Sequence, residues 1–154
     1  MTYVLQAVIA GEDLLRSAAQ KAPGAHVASL GQGLSLLPMT SEVLDAVPDA
    51  DAARSLGFRR LPTGFELKLA EWSAVGPVAY VEAEYFGGAG EQRAVVWADG
   101  ALAWGPSDQR ALGISPISQA LRRLGATSGP DQDEFTAVGL DRHRHNDGWI
   151  SATP

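Results

Sequence analysis

Between Val78 and Trp104, apolar and polar residues alternate on either side of two glycine-bearing breaks, which restricts this stretch to an antiparallel meander of three strands. Gly87, Gly88 and Gly90 interrupt the first run. Asp99-Gly100 is a favoured two-residue hairpin turn, because both central positions need positive φ. Centring the first loop on its glycines pairs Phe86 with Glu91, Tyr85 with Gln92, Glu84 with Arg93, Glu82 with Val95 and Tyr80 with Trp97. The second turn pairs Ala98 with Ala101, Trp97 with Leu102 and Val95 with Trp104. Side chains alternate across a strand, so one face collects Ala79, Val81, Ala83, Ala94, Val96, Ala98, Ala101 and Ala103. The other collects Tyr80, Glu82, Glu84, Arg93, Val95, Trp97, Leu102 and Trp104. A slip of one residue would mix the two sets, so their separation supports this parity.

The chain has 154 residues, 45% of them hydrophobic and 19% charged, which predicts one globular domain over 1–154 with a core of its own. It contains no cysteine, which excludes a disulfide framework, a thiolate metal site and thiol catalysis. Met1 to Gln6 carries no basic stretch before an apolar run, and no run approaches the roughly twenty apolar residues of a membrane span. A cytoplasmic protein without a membrane segment is therefore expected. The net charge of −6 opposes binding to phosphate backbones, so nucleic acid is not expected as a partner.

Around the meander, Tyr3 to Ile9 reads as a strand and the residues after Gly11 as a helix, with Glu12 and Asp13 in its first turn, Lys21 near its end and Pro23-Gly24 as its stop. His26 to Leu30 and Leu34 to Met39 read as two short strands joined by Gly31-Gln32-Gly33. Helical turns are expected over 40–47 and 48–56. A further helix starts after Pro62, where Thr63 and Glu66 have capping-box spacing and Phe65, Leu69 and Trp72 share a side. Gly105-Pro106 opens a loop over 106–113 that is free to move. Ser115 caps a helix with Pro116 at its first position and Ile117, Leu121 and Leu124 turned inward. A short helix surrounds Phe135, and 139–154 reads as an irregular tail. The sum is an α+β fold: a mixed or antiparallel sheet with its C-terminal meander packed by helices. Phe65, Leu69, Trp72, Ile117 and Leu121 are expected to cover the small alanine-rich face.

Three groups could carry chemistry. Glu82 and Glu84 point the same way, with carboxylates roughly 6 to 7 Å apart, suited to a shared cation or to acid–base work; the plainer reading pairs Glu84 with Arg93 across the strands. Tyr80, Trp97 and Trp104 form either an exposed patch for a ligand or partner, or core, depending on whether a helix covers their face. The charged members of that face keep at least its Gly87 end wet. His143 and His145 share a side of an extended segment and could ligate zinc with Glu82, Glu84 or Asp141, against the alternative of a solvated or strand-edge segment. His26 reads as a half-buried strand histidine. Gly87 to Gly90 precede a strand and lack the Lys-Ser/Thr of a phosphate loop.

The stretch Tyr80-Val81-Glu82-Ala83-Glu84-Tyr85-Phe86-Gly87-Gly88-Ala89-Gly90-Glu91-Gln92, with Ser115-Pro116-Ile117 and Gly139-Leu140-Asp141-Arg142-His143-Arg144-His145, resembles a group of small uncharacterised actinobacterial proteins. The resemblance implies a shared surface and transfers no catalytic residue; it admits an immunity-type or other protein-binding role. The favoured expectation is a non-enzymatic binding protein without cofactor, presenting Tyr80, Glu82, Glu84, Arg93, Trp97 and Trp104 to a basic protein partner. The alternative is a metal-dependent hydrolase built on Glu82, Glu84, His143 and His145. A scaffolding homo-oligomer through the same patch is the third.

Overall fold

The computed structural model describes residues 2–21, 25–40, 43, 58, 61, 63–86, 89–109 and 113–151. The helical turns expected over 40–47 and 48–56 lie outside these, apart from Thr40 and Val43. In chain order the elements are β1 (Thr2–Gly11), α1 (Glu12–Ala19), β2 (Ala28–Ser29), β3 (Leu34–Pro38), α2 (Thr63–Trp72), β4 (Val78–Phe86), β5 (Ala89–Ala98) and β6 (Ala101–Ser107). Then come α3 (Pro116–Arg123), α4 (Glu134–Ala137), a 3-10 turn (Leu140–Arg142) and α5 (Asn146–Ser151). The strands form one six-stranded sheet in the order β2-β3-β1-β4-β5-β6, antiparallel at every pairing, so the fold is α+β. No helix among the described residues is long and apolar enough to cross a membrane.

Local chemistry starts the helices where their caps stand. Ser115 accepts a hydrogen bond from the Ser118 N–H at 3.4 Å with Pro116 at the first helical position, and Asp133 accepts from the Thr136 N–H at 2.9 Å. The Gln92 side chain, reaching out of β5, accepts from the Ile117 N–H at 3.0 Å and satisfies another of the donors that α3 leaves open.

Helices cover both sides of the sheet. Leu5, Ala7 and Ile9 of β1, Ala79, Val81 and Ala83 of β4, and Ala94 and Val96 of β5 pack under Ile117, Ala120 and Leu121 of α3, with Val138, Leu140 and Trp149 beyond. Small strand residues let the helix approach closely. The opposite face joins Val8, Val78, Tyr80, Val95 and Trp97 to Leu15 of α1 and to Phe65 and Leu69 of α2. The division of labour thus differs from the sequence expectation. Ile117 and Leu121 cover the alanine face, whereas Phe65, Leu69 and Trp72 cover the aromatic one, because the small face is filled by the C-terminal helices.

The C-terminal segment is not irregular. It is a turn and a helix that complete the centre of the sheet. β3 pairs with β1 only from Ala7 onward, and just before it the Gln6 carbonyl accepts from the Met39 N–H at 2.9 Å. The Val4 N–H donates to the Arg144 carbonyl at 2.7 Å. Asn146 then accepts from the Gln6 N–H at 3.1 Å through Oδ1, and its Nδ2 donates to the carbonyls of Gln6 at 3.3 Å and Met39 at 3.2 Å. The Tyr3 hydroxyl donates to the Leu140 carbonyl at 2.9 Å. Burial first, and the Asp141 carboxylate second, push that phenol well above the ordinary tyrosine range. An amide side chain is the right shape for Asn146, since it both donates and accepts. Asn146→Ala is expected to lose about 1 to 3 kcal/mol, because the partly buried Gln6 N–H of β1 loses its acceptor; urea denaturation monitored by circular dichroism measures it. A loss under about 0.5 kcal/mol, typical of a neutral surface change, would show that water replaces the amide freely.

Candidate functional site

The first hairpin closes two residues tighter than the glycines suggested. Phe86 lies opposite Ala89, Glu84 opposite Glu91, Glu82 opposite Arg93, Tyr80 opposite Val95 and Val78 opposite Trp97. The cause is Gly90, which belongs to the strand: a Cβ there would lie 1.9 Å from the Glu84 carbonyl oxygen and 2.6 Å from the Tyr85 Cα. An even shift preserves parity, so the residues keep their faces while changing partners. Arg93 therefore neighbours Glu82 rather than Glu84, and its guanidinium pairs with Asp108 at 3.2 Å.

The second hairpin turns at Asp99 and Gly100, both with positive φ, and pairs Ala98 with Ala101 and Trp97 with Leu102 as expected. Beyond them a register irregularity between Trp97 and Val96 sets Trp104 opposite Val96 instead of Val95, and a second follows between Val96 and Ala94. An odd shift reverses the face. Trp104 consequently packs at the edge of the alanine-side core, where the Arg123 guanidinium lies 4.4 Å from its ring centre. It is no part of the aromatic and acidic face.

Of that face, the inner half is core. Tyr80 and Trp97 are buried, at 0% and 3% exposure, and Phe58 meets the Tyr80 ring edge-on at 4.9 Å. The Tyr80 hydroxyl donates to Glu82 Oε2 at 2.7 Å, one of the contacts of a carboxylate that is only 9% exposed. The outer half reaches solvent: Glu84 is half-buried, Glu91 exposed, and Phe86 exposed by 54%. Phe86 shares the parity of Glu82 and Glu84, so one aromatic ring and two carboxylates meet on one side of the ribbon end. The register places Glu84 directly opposite Glu91, so the two carboxylates of the ribbon end are cross-strand neighbours. Sequence reasoning passed over Phe86, although it occupies the alternate position after Glu84; its place beside the loop glycines was the available signal.

The histidines join no such group. His143 packs edge-on against Trp149 at 4.7 Å, and Trp149 belongs to the alanine-side core, across the sheet from Tyr80 and Glu82. His145 is exposed, and the residue between the two histidines lends its carbonyl to β1. Among the described residues no three His, Asp or Glu side chains converge as metal ligands would. His26 is half-buried beside β2.

Fold and surface thus define a six-stranded antiparallel α+β domain with a charged, aromatic ribbon end. No family model matches the chain, and neither a curated protein nor a solved structure is found similar to it.

Proposed function

We propose that this is a non-enzymatic binding protein whose contact surface is the solvent end of the β4–β5 ribbon. Phe86 would anchor a partner and Glu84 and Glu91 would steer it. The observation that carries this reading is the exposure of Phe86, at 54%, on the same side as those two carboxylates. Exposed aromatic rings flanked by charge are typical anchors of protein interfaces. The partner is a basic protein, since the net charge of −6 favours approach of a positive surface. A cytoplasmic immunity protein covering a basic toxin domain is one form of that reading. Tyr80 and Trp97 contribute by holding the ribbon rigid from beneath, so the anchor is preorganised.

The test is capture of partners on immobilised protein followed by titration of the captured partner. Phe86→Ala is expected to weaken binding about 10-fold to 30-fold, and Glu84→Lys with Glu91→Lys to slow association most strongly at low salt. A captured protein whose affinity ignores all three changes removes the ribbon end from consideration.

A further inference from the structure

At the other end of β4, on the same side of the sheet, α1 and the C-terminal end of α2 stand apart and leave a groove of about 370 Å³. This is within the size range of small-molecule sites. Leu14 and Ala18 of α1 face Trp72 and Val75 across it, so its apolar parts come from both helices and the turn that follows α2. Trp72 is half-buried and held in place by an edge-on contact with Phe65 at 5.7 Å. Val75 stands 82% exposed, an apolar side chain left in water by the described residues. Scattered exposed aliphatics need no explanation, but this one borders a concavity with an indole in it.

The charges lining the groove are unbalanced. Asp13 and Glu71 oppose a single cation, Lys21, and among the described residues neither carboxylate takes a hydrogen bond or an ion pair. Glu12 next door behaves differently. Its carboxyl is committed to the Ser29 hydroxyl at 2.9 Å and to Arg16 at 3.0 Å, which hold it below the usual carboxylate range. The adjoining cleft shares Asp13, Leu14 and Val75, adds Glu12, and among the described residues is lined by no lysine or arginine. The groove therefore combines an indole, aliphatic walls and surplus negative charge. That combination suits a ligand with an apolar body and one positive group, which a carboxylate and an aromatic ring bind together.

We infer that this groove binds a small amphipathic organic cation, a primary ammonium carried on an aromatic or aliphatic body of about phenethylammonium size. The site is independent of the ribbon end and of whatever binds there. Amide correlation spectra recorded while phenethylammonium chloride is added at low salt test it, with 2-phenylethanol as the uncharged counterpart. The expected result is saturable shifts at Leu14, Ala18, Val75 and the Trp72 indole N–H, with Phe86 and Glu91 unmoved. The alcohol should bind at least about fivefold more weakly, and the double variant Asp13→Asn, Glu71→Gln should bind the ammonium about tenfold more weakly. Both carboxylates are on exposed residues, so the double variant should melt with the wild type. Shifts that do not saturate or that centre elsewhere overturn the inference. So do equal affinities for ammonium and alcohol, or a double variant that binds the ammonium as tightly as the wild type.

Discussion

Trp149→Ala is expected to lower stability by about 3 to 5 kcal/mol and the melting temperature by on the order of 10 °C. Among the described residues Trp149 is the largest fully buried side chain, and it lies within the alanine-side core, where His143 packs edge-on against it and the Arg142 guanidinium sits 5.3 Å from its ring centre. Removing the indole leaves a cavity and also unseats α5, the helix that carries Asn146 to its contacts with Gln6 and Met39. Amides of Val4 and Gln6 should therefore exchange with solvent faster than those of Val81 or Val95, which sit deep in the ladder. Trp149→Phe should cost far less, under about 1.5 kcal/mol, since it keeps most of the packing volume and discards an indole N–H that has no hydrogen-bond partner among the described residues. Thermal melts and hydrogen exchange measure these effects. If the alanine and phenylalanine variants melt together, cavity formation is not what the tryptophan prevents.

Gly90→Ala is expected to be the most disruptive single change in the ribbon, at about 3 kcal/mol or more. The added methyl would meet the backbone of Glu84 and Tyr85, with the carbonyl oxygen 1.9 Å away, and no side chain can swing aside to make room. β4 and β5 must separate locally, which displaces Phe86 from the position beside Glu84 and Glu91. Partner binding should fall with it, by at least the margin seen for Phe86→Ala. Gly100→Ala is the useful comparison. Its φ of +81° strains an alanine, but nothing lies within 4 Å of the new methyl, so about 1 kcal/mol and unchanged binding are expected. Denaturant titrations of both variants, with amide spectra of the ribbon, separate steric from conformational cost. A Gly90→Ala protein with wild-type stability and unshifted Phe86 would sink the account of the register.

Where short-range chemistry decided the outcome, the residues made it legible. Ser115-Pro116 and Asp133 start their helices because a side-chain oxygen reaches an N–H three residues on, a contact written entirely within one turn. The two glycine-bearing breaks gave the meander, and alternation gave its faces. The ladder itself was off by two because glycines mark both loops and close backbone approaches, and Gly90 is the second kind. The candidate surface was half legible for the same reason. Glu84 was found, but Tyr80 and Trp97 look alike as exposed or buried rings until the helices above them are known. Trp104 changed sides because register irregularities are set by strand geometry rather than by residue pattern.

The sequence by itself determined the α+β character, the parity of the ribbon and the acidic balance of the chain, all consequences of local periodicity and of summed charge. Only the tertiary structure decided which helices lie on which face, that the C-terminal segment closes the side of β1, and that Phe86 rather than Trp97 meets solvent. Those outcomes depend on contacts between residues as far apart as Gln6 and Asn146. Packing of that range follows from how surfaces fit once folded, and no neighbouring residue encodes it.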